Sequence, residues 1–175
     1  FGWGQSIVGS AEVYNPAGDA WSPAGPFSPR AGHSATLLGD GRVVVTGGYT
    51  DTQATNYTAA TTLYDSATST WSQANPLQTA RAFHAAVLLP AGKVLVAGGY
   101  RPPNNTALAS VELFDPVTGS WSAAASMLTA RQTLSATLLS NGKVFVMSES
   151  PPTDPGSAEL YDPVNNVWQS TASPL

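Results

Sequence analysis

A period of about fifty residues runs through this 175-residue chain and limits the folds open to it. Four tryptophans stand 50, 50 and 47 residues apart, and an aromatic residue precedes each of them by seven positions. These pairs are Tyr14 with Trp21, Tyr64 with Trp71, Phe114 with Trp121, and Tyr161 with Trp168. Such a period is typical of a chain built from consecutive copies of one supersecondary unit.

Each unit has the pattern of four short antiparallel strands. The first two strands are apolar runs joined by a tight turn, which contains Asp40-Gly41 in one unit and Asn141-Gly142 in another. Because these turns need positive φ, Asp-Gly and Asn-Gly predict hairpins. The nearly continuous apolar runs predict strands buried on both faces. The third strand, as in residues 112–114, alternates polar and apolar residues and predicts half-burial, and the fourth carries the tryptophan.

Four antiparallel strands in about fifty residues correspond to one blade of a β-propeller. No segment has the pattern of an amphipathic helix, so we predict an all-β fold of about three and a half blades and an incomplete ring. The predicted units, all part of one propeller domain, are a partial blade (the end of strand 2, then strands 3 and 4) over 1–29 and blades over 30–80, 81–130 and 131–175.

The number of blades predicts that other residues complete the ring. Propellers close with about four to eight blades, and an open stack would expose two apolar faces. Residues 1–4 resemble the end of a second strand, and residues 173–175 resemble the linker that leads into a further unit. We therefore expect the remaining blades to come from the same, longer chain, which we favour, or from another subunit.

A pair of glycines followed by tyrosine ends the second strand in two units, as Gly47-Gly48-Tyr49 and residues 98–100. With the turn that follows an aromatic residue and with the later tryptophan, these units resemble the kelch repeat. Their residue pattern is similar to that of its bacterial and galactose-oxidase-like branch. The resemblance implies a kelch-type β-propeller. The third unit departs from the pattern, because Ser148-Glu149 replaces the glycines. This replacement predicts a cost in stability or a local deviation.

The longer loops are expected on one face of the propeller. Strands alternate in direction, so the loops over 50–60, 101–110 and 150–157 lie on the same face as the links between blades. Long loops on a rigid scaffold commonly bind ligands. Resemblance to the kelch domains of ubiquitin-ligase adaptors implies ligand-binding arginines and tyrosines there. The matching residues are Arg30, Arg81, Arg131, Tyr49 and Tyr100. The alternative is that each arginine is a structural feature of the repeat that bonds loop carbonyls.

Two histidines are further binding candidates. His33 and His84 occupy equivalent positions, and the third unit has Leu134 there. A metal or a general base would need more partners than this pair offers, so a packed, hydrogen-bonded role is favoured. We predict no catalytic residue, no metal and no cofactor. The chain has no cysteine, so the copper site with a cysteine-modified tyrosine, known from galactose oxidase, cannot form in this stretch.

Composition narrows the class of partner. The net charge is −4 without a basic run, which argues against nucleic acid, and no apolar run approaches the roughly 18 residues of a membrane span. Charged residues make up only 10%, and abundant Ser, Thr and Ala fit an extracellular or cell-surface protein. Asn56 and Asn104 begin glycosylation-acceptor patterns, and the sequence leaves open whether they are modified.

The leading prediction for function is a non-catalytic module that presents its long loops to a protein or carbohydrate partner. One alternative is the propeller domain of a secreted carbohydrate-active or oxidase-type enzyme, with its catalytic residues mainly outside this stretch. The other is a structural subunit of a surface assembly. All three rest on analogy at the level of the fold.

Overall fold

The computed structural model describes residues 6–101, 103, 106–148 and 158–171, and these residues form strands, turns and loops without a helix. Three four-stranded antiparallel sheets make up most of the structure, and we call them blades 1, 2 and 3. Blade 1 contains β3 (Ser34–Leu37), β4 (Val43–Thr46), β5 (Thr61–Asp65) and β6 (Thr70–Ala74). Blade 2 contains β7 (Ala85–Leu88), β8 (Val94–Ala97), β11 (Val111–Asp115) and β12 (Ser120–Ala124). Blade 3 contains β13 (Leu134–Leu138), β14 (Val144–Ser148), β15 (Ala158–Asp162) and β16 (Val167–Ser170).

Two smaller sheets complete the described strands. A two-stranded sheet of β1 (Ser10–Asn15) and β2 (Ala20–Pro26) precedes blade 1. A short hairpin of β9 (Tyr100–Arg101) and β10 (Thr106–Ala107) projects from blade 2. The prediction of an all-β fold with four-stranded blades and an incomplete ring is confirmed, whereas the predicted unit boundaries stay a prediction.

Some predicted features lie outside the described residues. They are the strand end at 1–4, the linker at 173–175, the third long loop at 150–157, Glu149 and the acceptor Asn104. Within the described part of the chain, no helix has the length and apolar character needed to cross a bilayer.

The first strand of each blade lies nearest the axis of the propeller. In each sheet the strands follow one another in the order of the chain, and β7 contacts both β3 and β13. The outer strands of neighbouring sheets approach less closely, as β2 and β6 do. This convergence at the first strands gives the blades their wedge shape and places the tryptophan strands at the rim.

Burial along the strands differs from the sequence prediction in several places. The second strand is buried on both faces in blades 1 and 2, as predicted, because β8 is buried throughout and β4 is half-buried only at Val43. In blade 3 one face of β14 is less buried, and Met147 is 46% exposed. The first strand of blade 1 is less buried than predicted, because the exposed residues of β3, Ala35 and Leu37, lie on the face toward the β1–β2 sheet, which has only two described strands. The third strand is more buried than predicted, as in β5, because neighbouring blades cover it. The apolar cores therefore lie between blades.

The aromatic pairs that set the sequence period join each blade to the one before it. In all four units the two rings stack with centroids 4.9 to 5.1 Å apart. The indole nitrogen of Trp71 donates to the carbonyl of Ala24 at 2.8 Å, and that of Trp168 donates to Ala125 at 2.8 Å. Trp71, Trp121 and Trp168 thus bond backbone of the preceding sheet or its outgoing linker, whereas Trp21, in the first sheet, is 66% exposed.

Candidate functional site at the long-loop face

Arg81 is fully buried at the start of blade 2. Its guanidinium donates to the carbonyls of Gly98 and Ser110, both at 3.0 Å, and to the Glu112 carboxylate at 2.7 Å. Burial lowers the pKa of Arg81, and the adjacent Glu112 charge opposes that shift. The arginine therefore joins the end of the second strand to the third strand of its own blade.

The carboxylate of Glu112 also binds the linker from blade 1. It accepts hydrogen bonds from the backbone N–H of Gln78 at 2.7 Å and of Thr79 at 3.2 Å. A buried carboxylate with a cation and two N–H donors is fully compensated for its loss of water. Arg81 and Glu112 together fix the path by which the chain enters blade 2.

Blade 3 repeats this arrangement with its own residues. The carboxylate of Glu159 accepts from Arg131 Nε at 3.0 Å and from the backbone N–H of Leu128 at 2.7 Å and Thr129 at 3.1 Å. Arg131 also donates to the Ser148 hydroxyl at 3.3 Å. The same buried pair therefore anchors two successive blades.

Arg30, at the start of blade 1, is bound differently. It donates to the carbonyl of Ala60 at 3.1 Å and lies over the ring of Phe27, 4.8 Å from its centroid. The position of the glutamate is taken by Thr62, whose hydroxyl is buried without a partner among the described residues. Burial lowers the pKa of Arg30.

Arg30 and Arg81 bond loop carbonyls, which is the contact expected of a structural repeat feature, and Arg81 and Arg131 also bond a buried glutamate. Each of these residues is at most 5% exposed, so the guanidinium groups face protein atoms rather than solvent. Their binding role stays a prediction. In blades 1 and 2 the arginines bond backbone at the ends of the loops that carry Tyr49 and Tyr100, while in blade 3 Arg131 bonds Ser148 and Glu159.

His84 forms a buried polar bridge between blades 1 and 2. Its Nε2 lies 2.8 Å from the Ser34 hydroxyl and 3.1 Å from the Thr46 hydroxyl, while its Nδ1 has no partner among the described residues. Burial, with smaller contributions from the charges of Arg81 and His33, lowers the pKa of His84 to about 3. The imidazole is therefore neutral at ordinary pH and joins the two blades by neutral hydrogen bonds.

His33 occupies the equivalent position in blade 1 and is exposed. Its ring lies 5.7 Å from that of Phe27. Partial desolvation of the ring, followed by the charge of Arg30, lowers the pKa of His33. In the described part of the chain, no group of three or more His, Cys, Asp or Glu side chains could hold a metal.

Tyr49 and Tyr100 meet at the junction of blades 1 and 2, on either side of Phe83. The ring centroids are 5.5 Å apart for Tyr49 and Phe83, and 6.0 Å apart for Phe83 and Tyr100. Tyr57, from the first long loop, is buried and pairs with Tyr49 through an isolated β-bridge. Burial raises the pKa of Tyr57. We call Tyr49, Phe83 and Tyr100 the aromatic cluster.

A cavity of about 350 Å³ opens beside Phe83. The other residues that line it belong to the inner strands of blades 2 and 3 and to β14: His84, Thr133, Leu134, Ser135 and Met147. The cavity lining therefore combines the Phe83 ring and two aliphatic side chains with two hydroxyl groups and the imidazole of His84.

The first glycine of each Gly-Gly pair is required sterically, because the backbone of the next blade lies against it. A Cβ on Gly47 would lie 2.4 Å from the Arg81 carbonyl oxygen, and one on Gly98 would lie 2.8 Å from that of Arg131. Each glycine thus leaves room for the arginine carbonyl of the next blade. Ser148 takes this position in blade 3, where it extends β14 and accepts the bond from Arg131. The predicted local deviation is this one-residue extension.

Phe83 and the two glutamates are functional-site residues that the sequence reasoning missed. Phe83 holds the position of Gly32 in the preceding unit, and a bulky residue aligned with a glycine is a detectable signal. Glu112 and Glu159 stand 47 residues apart, in register with the aromatic ladder. Alignment of every position of the repeat, and not of the recurring aromatic pairs alone, would have found all three.

The family assignment rests on blade 2. The sequence profile of the Kelch motif matches residues 81–128, from the buried Arg81 through the tryptophan strand to the next linker. Residues 81–128 are therefore identified as a kelch repeat. Blades 1 and 3 share the strand order and the aromatic pair of this kelch unit. No curated protein matches the sequence. The kelch resemblance is confirmed, and the bacterial branch within it stays a prediction.

Proposed function

We propose that this kelch propeller is a non-catalytic binding module that receives a protein or carbohydrate partner on its long-loop face. The observation that carries the proposal is the aromatic cluster, which gathers side chains from two blades on that face. The opposite face carries short turns, such as that between Leu38 and Arg42. Aromatic side chains with polar ends are enriched where proteins bind partners.

The loops beside the cluster are held by backbone bonds, so the surface is formed before a partner arrives. Thr58 N donates to the Gly48 carbonyl at 2.8 Å, and Tyr49 N donates to Ala31 at 2.8 Å. Leu108 N donates to the Gly99 carbonyl at 2.9 Å. A pre-ordered surface loses little conformational entropy on binding. An extracellular or cell-surface location is part of this proposal and is supported by the low content of charged residues.

Replacing a long loop tests the assignment of the face. Residues 51–56 are exchanged for a Gly-Ser segment of equal length, which leaves Tyr57 and the bonds of Gly48 in place. The probes are an array of oligosaccharides and a displayed peptide library. We expect at least tenfold weaker binding of whatever the unaltered protein retains, because the loop borders the aromatic cluster.

A variant of the opposite face serves as the control. Val117 and Val164 are 92% and 90% exposed at the tight turns, and both are changed to serine. Binding should be unchanged in this variant. Equal losses in the two variants, or no retention of any probe by the unaltered protein, would contradict the proposal.

A further inference from the structure

We propose that the aromatic cluster of Tyr49, Phe83 and Tyr100 binds the apolar face of a neutral sugar ring. The inference rests on the proposed function and names the ligand chemistry of the same face. Its three supports are the backbone conformation of Phe83, the arrangement of the rings, and the local charge.

Phe83 adopts a backbone conformation that aromatic residues seldom take. Its φ is +55°, while the equivalent residues Gly32 and Thr133 have φ of +63° and +48°. A hydrogen bond joins each of these positions to the next: Phe83 N donates to Gly32 O at 2.8 Å, and Thr133 N donates to Phe83 O at 3.1 Å. The left-handed conformation therefore belongs to the junctions between blades, and glycine is the residue that adopts it without strain.

Packing against Tyr49 and Tyr100 covers the phenylalanine at this strained position only in part. Phe83 is 36% exposed, so a considerable part of its side chain faces solvent. Strained residues of this kind are concentrated at ligand-binding and active sites. A ligand that covers the exposed ring gives the side chain a function that glycine could not supply.

The three rings form a corner rather than a flat stack. Tyr49 is tilted by 33° to Phe83, while Tyr100 meets Phe83 nearly edge-on at 87°. Gly32 allows this approach, because a Cβ there would lie 3.0 Å from the ring of Tyr49 and 3.3 Å from that of Phe83. The corner offers apolar ring faces bordered by two phenol hydroxyls. A sugar ring has the matching pattern of an apolar C–H face and a rim of hydroxyls.

The charges near the cluster favour a neutral ligand. Asp51 and Arg101, on the loops beside the rings, have opposite sign, and Asp51 is already bonded to Thr55. The buried guanidinium of Arg81 is occupied by Glu112 and loop carbonyls. An acidic peptide would therefore find no uncommitted buried cation at the start of blade 2. A proline-containing peptide, which also stacks on aromatic rings, is the competing outcome that the experiment separates.

The variant Phe83→Gly separates binding from folding. Glycine fits the positive φ, so we expect an unchanged or higher melting temperature with at least tenfold weaker binding. The probes are neutral oligosaccharides of glucose, galactose and N-acetylglucosamine, measured by isothermal titration calorimetry and saturation-transfer NMR. The matched control is Ser69→Gly on the opposite face, where φ is +54° and the equivalent residue of blade 2 is Gly119. It relieves backbone strain without removing an aromatic ring and should leave the affinity unchanged.

Three results would overturn the inference. One is a proline-rich peptide that binds while the sugars do not; in that case the binding module stands and only the sugar assignment is lost. Another is a Phe83→Gly variant that binds sugars as tightly as the unaltered protein. The third is a Phe83→Gly variant with a clearly lower melting temperature, which would make Phe83 a packing residue. If neither sugars nor peptides bind, the proposed function itself fails.

Discussion

Blade 1 and blade 2 begin with the same arginine but bind it by different chemistry. In blade 2, Arg81 forms a buried ion pair with Glu112, which also accepts two N–H groups of the linker. In blade 1, Arg30 donates to carbonyls and lies over Phe27, and Thr62 replaces the glutamate. The cation recurs in every blade, whereas the buried anion does not.

This difference shows which part of the repeat a blade can lose. A buried carboxylate needs its arginine, because an unpaired charge in the interior is strongly unfavourable. A buried arginine can instead be satisfied by carbonyls and an aromatic face. Blade 1 therefore keeps its entry point without a carboxylate, and its linker is bonded by other means, as when Phe27 N donates to Gly9 at 3.1 Å.

The largest expected effect separates the two arginines. Arg81→Met leaves Glu112 buried without its cation, so we expect a loss of about 3–5 kcal/mol in the free energy of unfolding. Arg30→Met leaves no buried carboxylate without its cation, so we expect it to lower the free energy of unfolding by only about 1–2 kcal/mol. Chemical denaturation measures both values.

The double variant Arg81→Met with Glu112→Leu serves as the control for this prediction. Removing both charges should recover part of the stability, while the two linker N–H groups left without an acceptor account for the remainder. Equal losses for Arg30→Met and Arg81→Met would show that the ion pair does not distinguish the blades.

Lowering the pH should destabilise the contact between blades 1 and 2, because His84 becomes protonated. Its pKa is about 3 in the folded protein, against about 6.5 when unfolded. The unfolded chain therefore takes up a proton first, and the stability contributed by neutral His84 is present above pH 6.5 and lost as the pH falls toward 3. The expected loss between pH 7 and pH 4 is about 3 kcal/mol.

Leucine at this position supplies the comparison, because blade 3 carries Leu134 there. In His84→Leu, the hydroxyls of Ser34 and Thr46 can still bond each other, as they do at 2.7 Å. The variant should lose less stability than the unaltered protein over the same pH range. Parallel curves from pH 7 to pH 4 would refute the assignment to His84.

The smallest expected effect concerns the unpaired hydroxyl of blade 1. Thr62→Val removes a buried oxygen that has no partner in the described structure, so we expect a gain of about 1 kcal/mol in stability. Thr61→Val is the matched control, because the Thr61 hydroxyl accepts from Trp121 Nε1 at 3.2 Å and its removal should destabilise. A loss of stability in Thr62→Val would mean that a partner for Thr62 exists in the folded protein.

Periodic features were accessible from the sequence because each of them recurs in register. The tryptophans, the hairpin turns and the glycine pairs together predicted four-stranded blades and the kelch family. Strand burial was predicted less well, because the apolar pattern of β3 does not reveal that one of its faces meets a sheet of only two described strands. The departure at Ser148 was visible, but its consequence depended on the arginine carbonyl that approaches Gly47 and Gly98.

The candidate site was only partly predictable. Tyr49 and Tyr100 were identified from their repeat positions, but Phe83 lies between them only because the blades pack side by side. Likewise, the contacts of Arg81 with Glu112 join residues 31 positions apart.

The repeat pattern in the amino acids settles the kind of unit and its strand order, since hydrogen bonding within a blade is largely local. Which side chains become buried, paired or strained is decided between blades, where groups distant in sequence compete for the same space. For this reason Arg30 and Arg81 look alike in sequence and differ in electrostatics, and Phe83 acquires its exposed, strained position only in the packed structure.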